Sequence, residues 1–230
     1  MSDPPSNRWD PAPMPASVFL RPLGTPMPLG FLGLTAVTFV VSGEQLGWIP
    51  PGQAHQVALV AVGFAFPAQF LASVYGFLCR DAAAATGMGL LAVTWLAFGL
   101  LTLGTPPGTT SRTTGLLLLV AGLLLLVPAA ATGTSKTVAT AVLSFAALRF
   151  FFTGAYEFSA APAWKTAAGV MGLVLAGTAL YAAFALLWES RRHRTVLPVG
   201  RRGPGRTAVT GAAPDQLGAV VHEPGVRREL

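Results

Sequence analysis

Arg149 is the strongest candidate for chemistry in this 230-residue chain, because it is the one strongly charged residue well inside a long apolar run. It lies eight residues before Glu157, which is about 12 Å along a helix axis. A guanidinium is costly at such a depth in an apolar run. It either pairs with Glu157 or Glu44, extends to the surface, or faces an aqueous vestibule and raises the local concentration of anions. The residue types therefore indicate a structural ion pair or an anion path.

Gln69 is a second polar candidate, since it also lies inside an apolar run. Its amide could hydrogen-bond between helices or line a path, and the sequence does not separate these roles. Four hydroxyl residues of the apolar runs are instead expected to bond back to their own helices: Thr35, Thr38, Ser42 and Thr94.

Several kinds of chemistry are disfavoured by the residues that the chain lacks. No Asp or Glu lies in the middle of an apolar run, and there is no nucleotide-binding loop or paired carboxylate, which argues against an enzyme or an ATP-driven pump. Cys79 is the only cysteine, and the three histidines are far apart in sequence, none of them in the middle of an apolar run. We therefore expect no intrachain disulfide, no metal site and no cofactor.

The elements that must position these residues are six apolar runs. The chain is 53% hydrophobic and only 10% charged, whereas soluble domains carry about 25% charged residues. The runs span Leu29–Ser42 (extending toward Leu46), His55–Leu78, Ala84–Gly104, Gly115–Ala131, Thr137–Phe158 and Lys165–Trp188. Since about 20 residues cross a bilayer, the sequence predicts an all-α membrane protein with six transmembrane helices in a compact bundle.

The runs divide the chain into three parts and predict its orientation. A proline-rich leader (1–27) precedes the transmembrane domain (28–190), and a basic tail (191–230) follows, expected to be disordered from Val199 onward. With the N-terminus inside, twelve Lys and Arg residues lie on the cytoplasmic side and only Arg112 and Lys165 outside. The positive-inside rule then predicts that both termini are cytoplasmic, and we expect a multi-pass protein of the plasma (inner) membrane. The net charge of +6 follows from that rule and does not indicate nucleic acid.

Two local patterns bear on how the helices start and pack. In Thr25-Pro26-Met27-Pro28-Leu29-Gly30, two prolines are compatible only with a helix start, where the first N–H groups have no partner, so a helix is predicted to run on from Pro28. Ala168, Gly172 and Ala176 repeat at four-residue spacing, which is typical of close helix contacts and of assembly.

The two ends of the apolar region resemble one family. The Pro-x-Pro-Leu-Gly start at Pro26–Gly30, six spans, and Thr195-Val196-Leu197-Pro198-Val199-Gly200 after the last span resemble the acetate uptake transporter family, of YaaH/SatP type. The resemblance covers about residues 24–200.

The resemblance implies compact six-helix protomers that assemble into hexamers, each protomer passing acetate and related small carboxylates through its own pore. An apolar constriction in that pore takes side chains from spans one, three and five. By register these positions fall on Leu34, on Leu96 with Trp95 as its rival, and on Phe145. The alternative is that all three are ordinary bundle core.

The chain also departs from the family's pattern. Thr25 stands where the family has Asn, only Gln69 remains of a Gly-Gly-x-x-Gln motif, and Arg149 occupies a position that is apolar in the family. We therefore expect a channel or transporter for acetate and possibly succinate, passive or proton-linked, with lipid and further copies of the chain as partners. The alternatives are a transporter of another small weak electrolyte such as ammonia, and a membrane interaction protein without a pore.

Overall fold

The computed structural model describes residues 23–192, 194–203 and 206, and these form an all-α fold. Six of its helices are long and apolar enough to cross a membrane, which confirms the predicted architecture. They are α1 (Met27–Gln45), α2 (Pro51–Leu78), α3 (Ala82–Leu103), α4 (Arg112–Thr132), α5 (Thr137–Ser159) and α6 (Pro162–Arg192).

The first helix begins as its prolines predict. It starts at Met27, with Pro28 in its first turn, and the Leu29 N–H donates to the Pro26 carbonyl at 3.2 Å. Proline is tolerated there because the first N–H groups of a helix lack intrahelical partners. The start motif therefore fixes where α1 begins.

The second helix contains an irregular segment next to its proline. Pro67 has no N–H, so the carbonyl four residues earlier, at Gly63, has no regular helical donor. Around this point Ala61–Ala65 form a wider, π-helical turn, and the regular helix resumes at Phe66. The helix thus crosses the bundle without a break.

The six helices form a closed ring, because each packs on the next along the chain and α6 returns to pack on α1. The small residues Ala168, Gly172 and Ala176 are all buried. They face α1: the Thr35 hydroxyl lies 3.4 Å from the Ala176 carbonyl oxygen, and a Cβ on Gly172 would lie 2.1 Å from Ser42 Oγ. The four-residue pattern is therefore used for packing within the chain.

The segment after α6 folds back across one end of the ring. The N–H groups of Thr137 and Val138 donate to the carbonyls of Gly200 and Val199 at 3.2 and 3.4 Å, and the Tyr181 hydroxyl donates to the Pro198 carbonyl at 3.0 Å. The prediction that disorder begins at Val199 is therefore wrong for residues 199–203, because these backbone bonds and the burial of Val199 hold the segment in place. Most of the predicted tail, and leader residues 1–22, lie outside the described residues.

Candidate functional site

The interior of the ring opens at the end of the bundle that carries Asp81, called here the Asp81 end. A cavity of about 130 Å³ lies there between α1, α3, α5, α6 and the C-terminal segment. Its apolar lining comes mainly from those four helices and includes Phe31, Met88, Leu143 and Ala182. Polar lining comes from Thr25, Asp81, Lys136 and Arg201. The cavity is thus an apolar funnel with a charged rim.

The charges of this rim occur in pairs. Lys136 Nζ lies 2.5 Å from Asp81 Oδ2, and the Arg201 guanidinium pairs with the Glu189 carboxylate. Glu189 also accepts a hydrogen bond from the Thr195 hydroxyl at 2.8 Å. The pairs tie α3 to α5 and the C-terminal segment to α6, so they hold the rim together.

An apolar waist lies deeper along the same helices. Leu34 and Trp95 belong to one buried cluster, with 0% and 1% of their surfaces exposed. The Trp95 ring packs edge-on against Phe150, with 5.6 Å between ring centroids. These residues come from α1, α3 and α5, the three helices that the sequence comparison with the family pointed to.

The three positions that the family resemblance assigns to a constriction do not have the same surroundings. Leu34 is fully buried. Phe145 is half-buried and packs against the core from its edge. Leu96 is also half-buried but does not pack against the core cluster, and its neighbour Trp95 is the residue of α3 that joins it. The structure therefore brings Leu34 together with the rival, Trp95, on the inside of the ring.

Arg149 lies inside the ring toward the opposite end, which carries Glu44 and is called here the Glu44 end. Its side chain is 1% exposed, and its Cζ atom lies 5.3 Å from the centroid of the Trp95 ring. Nη2 donates to Gln45 Oε1 over 3.4 Å, and Gln45 Nε2 donates to the Thr153 hydroxyl at 3.2 Å. The guanidinium is thus oriented by α1 and α3 rather than extended to the surface.

The ion pairs expected for Arg149 do not form. Glu44 Oε1 accepts from Lys165 Nζ at 2.8 Å, and Glu157 Oε2 accepts from the Ser111 N–H at 2.7 Å. Within the described part of the chain no carboxylate forms a salt bridge with Arg149. Both acidic residues lie at helix ends with partners of their own, which leaves the buried guanidinium without a counter-charge among the described residues.

Several buried polar atoms inside the ring have no hydrogen-bond partner among the described residues. They are Ser42 Oγ, Arg149 Nε, Trp95 Nε1, and both amide atoms of Gln69. Thr35, Thr38 and Thr94 bond back to their own helices as predicted, but Ser42 does not. Buried polar groups are almost always hydrogen-bonded, so these open donors and acceptors make the interior a candidate for a path or binding site.

The family model described as the GPR1/FUN34/yaaH family matches residues 10–201 of the chain. The chain belongs to the GPR1/FUN34/yaaH family. This confirms the resemblance inferred from the two end motifs. No curated protein sequence matches the chain.

A solved structure, that of the bacterial acetate channel SatP, has the same fold as this family member. The two superpose with a TM-score of 0.69 at 21% sequence identity, covering 78% of this chain and all of the other. At that identity the likeness establishes the six-helix fold.

Within this GPR1/FUN34/yaaH family chain, the start motif contributes to the Asp81 end in two ways. Thr25 lines the cavity. Pro28 and Gly30 are buried in helix packing, and a Cβ on Gly30 would lie 2.6 Å from the Met88 sulfur. Leu29 faces outward and is 47% exposed. Two residues of the motif, Thr25 and Met27, therefore line the cavity.

Sequence reasoning identified Arg149 but missed the residues around it. Gln45 and Gly172 received no functional role, and Ser42 was expected to bond to its own helix. Ser42 and Gln45 are three residues apart, and Arg149 and Thr153 are four apart, so each pair shares a helix face. That spacing was a usable signal, but only the structure shows that the two faces meet.

Proposed function

We propose that this protein is a membrane channel or transporter for small carboxylates, with acetate as the first candidate and succinate as the second. Each protomer would have its own pore, passing from the cavity at the Asp81 end through the waist toward Arg149, and the protomers would assemble as hexamers in the plasma membrane. Family membership supports a role in transport, and the solved structure with the same fold is that of an acetate channel.

The observation that carries this proposal is the arrangement of α1, α3, α5 and α6 around one axis. A cavity with a charged rim lies at the Asp81 end, and further along the same helices lie the buried side chains of Leu34 and Trp95. Apolar constrictions of this kind control the passage of small solutes by excluding water. A membrane interaction protein without a pore has no need of such a funnel.

The distribution of charge supports placing the Asp81 end in the cytoplasm. Arg80, Lys136 and the described basic residues that follow α6 lie at that end, whereas Arg112 and Lys165 lie at the other. Basic residues flanking membrane helices favour the cytoplasmic side. The start motif would then form part of the cytoplasmic approach to the pore.

The acidic residues of the described helices lie near helix ends, as Glu44, Glu157 and Glu189 do. A transporter that carries its proton on a carboxylate at mid-membrane would need one there. If transport is proton-linked, we therefore expect the proton to cross with the acid itself or through the pore.

Uptake of radiolabelled acetate into liposomes containing the purified protein tests the proposal. We expect faster uptake than into empty vesicles, and a further increase for Leu34→Ala and Phe145→Ala, since both shorten side chains that pack at or beside the waist. Leu123→Ala is the matched control, because Leu123 is 62% exposed on the outside of the ring and should leave uptake unchanged.

Two results of this assay would contradict the proposal. Uptake of acetate and succinate no faster than into empty vesicles would exclude a carboxylate pore. Faster uptake of labelled methylammonium, with no uptake of acetate, would assign the pore to an amine instead.

A further inference from the structure

We propose that Arg149 and Ser42 bind the carboxylate group of a small monocarboxylate in the half of the pore nearer the Glu44 end, with Gln45 positioning the guanidinium. The site rests on the proposed function, because it gives the transported acid a defined stopping point.

The charge of Arg149 supports a site for an anion. Its guanidinium is 1% exposed and has no carboxylate partner within the described residues. The Trp95 ring and a 3.4 Å bond to the Gln45 amide compensate only part of the cost of burying a cation. A neutral bundle interior that retains such a charge favours an anion beside it.

Two donors that have no hydrogen-bond partner among the described residues lie close to each other. These donors are Arg149 Nε and Ser42 Oγ. Both lie against Gly172 of α6, since a Cβ there would be 2.6 Å from the nitrogen and 2.1 Å from the hydroxyl oxygen. An N–H and an O–H from two helices therefore reach the same small region, and the lack of a side chain at residue 172 is what lets both atoms lie there.

The donors of this site match the carboxylate group of a small acid. Gln45 Oε1 accepts a hydrogen bond from Arg149 Nη2, and the Gln45 amide is itself held by the bond from its Nε2 to Thr153. The plane of the guanidinium is therefore fixed, while its Nε–H has no partner among the described residues. A guanidinium edge matches a planar carboxylate better than a spherical ion. The Ser42 hydroxyl adds one donor, and the Trp95 ring beside the guanidinium limits the acid to a small one.

The experiment measures acetate binding separately from transport. The line width of ¹³C-labelled acetate is recorded with the full chain in nanodiscs, at constant ionic strength set with sodium gluconate. We expect broadening that unlabelled formate reverses. Arg149→Gln should weaken acetate binding about tenfold or more, because it removes a charge-assisted hydrogen bond, and Ser42→Ala a few-fold, because it removes a neutral one.

Gly172→Ala tests the geometry without changing any charge, since its methyl group would lie 2.1 Å from Ser42 Oγ and 2.6 Å from Arg149 Nε and would displace both donors. We expect it to weaken acetate binding about as much as Arg149→Gln. Gly177→Ala is the matched control on the same helix, because a Cβ there meets nothing within 4 Å. Arg112→Gln is the charge control, since it removes an exposed arginine at the same end of the bundle.

The outcomes separate the site from the transport proposal. Acetate broadening lost in Arg149→Gln but kept in Arg112→Gln supports the site, even if liposomes take up no acetate. Unchanged broadening in Arg149→Gln, or an equal loss in Arg112→Gln, overturns it, even if uptake is normal. If Gly172→Ala does not elute as the wild-type protein does, Arg149→Gln and Ser42→Ala, which add no bulk, decide alone.

Discussion

The Asp81 end and the region around Arg149 handle charge in opposite ways. At the Asp81 end, Lys136 pairs with Asp81, and Arg201 pairs with Glu189. Deeper in the ring, Arg149 has an amide and an aromatic ring beside it but no carboxylate among the described residues. Paired charges stabilise the scaffold, whereas an unpaired buried charge costs stability and is retained for what it binds. Substitutions in the two regions should therefore change stability in opposite directions.

Arg149→Met should give the largest effect. It replaces an unpaired buried cation by an apolar side chain of similar length, so we expect the free energy of unfolding to rise by about 1–4 kcal/mol, while acetate binding is lost. Unfolding by SDS in mixed micelles measures the change. Leu148→Met, at the more exposed neighbouring position, is the control and should have little effect. A loss of stability in Arg149→Met would show that the guanidinium is a structural element after all.

Glu189→Gln should have the next largest effect, and in the opposite direction. The carboxylate is the partner of Arg201 and accepts from Thr195, and Glu189 is 7% exposed. Removing its charge should lower the free energy of unfolding by about 2 kcal/mol. Trypsin should then cleave faster at Arg201 and Arg202.

The exposed Arg191 of the same helix end provides the control for this variant, because Arg191→Gln removes a charge without touching the segment. Acetate binding should be unchanged in both variants. A stability as high as that of the wild-type protein in Glu189→Gln would mean that the backbone bonds alone hold the C-terminal segment.

The Lys136–Asp81 pair should give the smallest effect. The two side chains are 30% and 28% exposed, so water and salt screen them, and we expect a coupling of about 0.5 kcal/mol. A double-mutant cycle with Asp81→Asn and Lys136→Gln measures it. Asn is chosen because Asp81 also accepts from the Ala84 N–H at the start of α3, and Asn preserves that cap. A coupling energy above about 2 kcal/mol that salt does not change would show that this pair behaves as a buried ion pair.

The sequence predicted the helices well because the bilayer imposes a simple requirement on length and polarity. All six runs became helices whose ends lie within a few residues of the apolar limits. The same requirement drew attention to Arg149, as a charge far from any helix end. The length and polarity that a bilayer requires of its spanning helices can therefore be read directly from the sequence.

Which face of each helix points inward was not visible in the same way. The helices are apolar nearly all round, so no periodic pattern separates the inner face from the lipid face. For that reason Leu96 and Trp95 could not be distinguished by register, although Trp95 lies in the core and Leu96 does not. The partners of Arg149 were hidden too, since Ser42, Gln45 and Gly172 meet only when α1, α5 and α6 pack.

Composition misled at the start of the tail for a related reason. A stretch rich in Gly, Pro and Arg is typical of disorder, but residues 199–203 lie against α5 and α6 through backbone hydrogen bonds and one ion pair. Gly200 has a φ of +66°, a conformation that favours glycine. The residue that suggested flexibility is the one that this turn requires.

The return of the C-terminal segment to α5 has a consequence for the order of synthesis. The first N–H groups of a helix have no partners within it, and in α5 two of them bond to Gly200 and Val199. Thr137 and Gly200 are 63 residues apart, so the fifth helix obtains these acceptors only after the whole sixth helix has been translated. The Asp81 end of the bundle is therefore completed last. A chain whose translation stops before residue 199 would have all six helices but would lack the acceptors for the first N–H groups of α5.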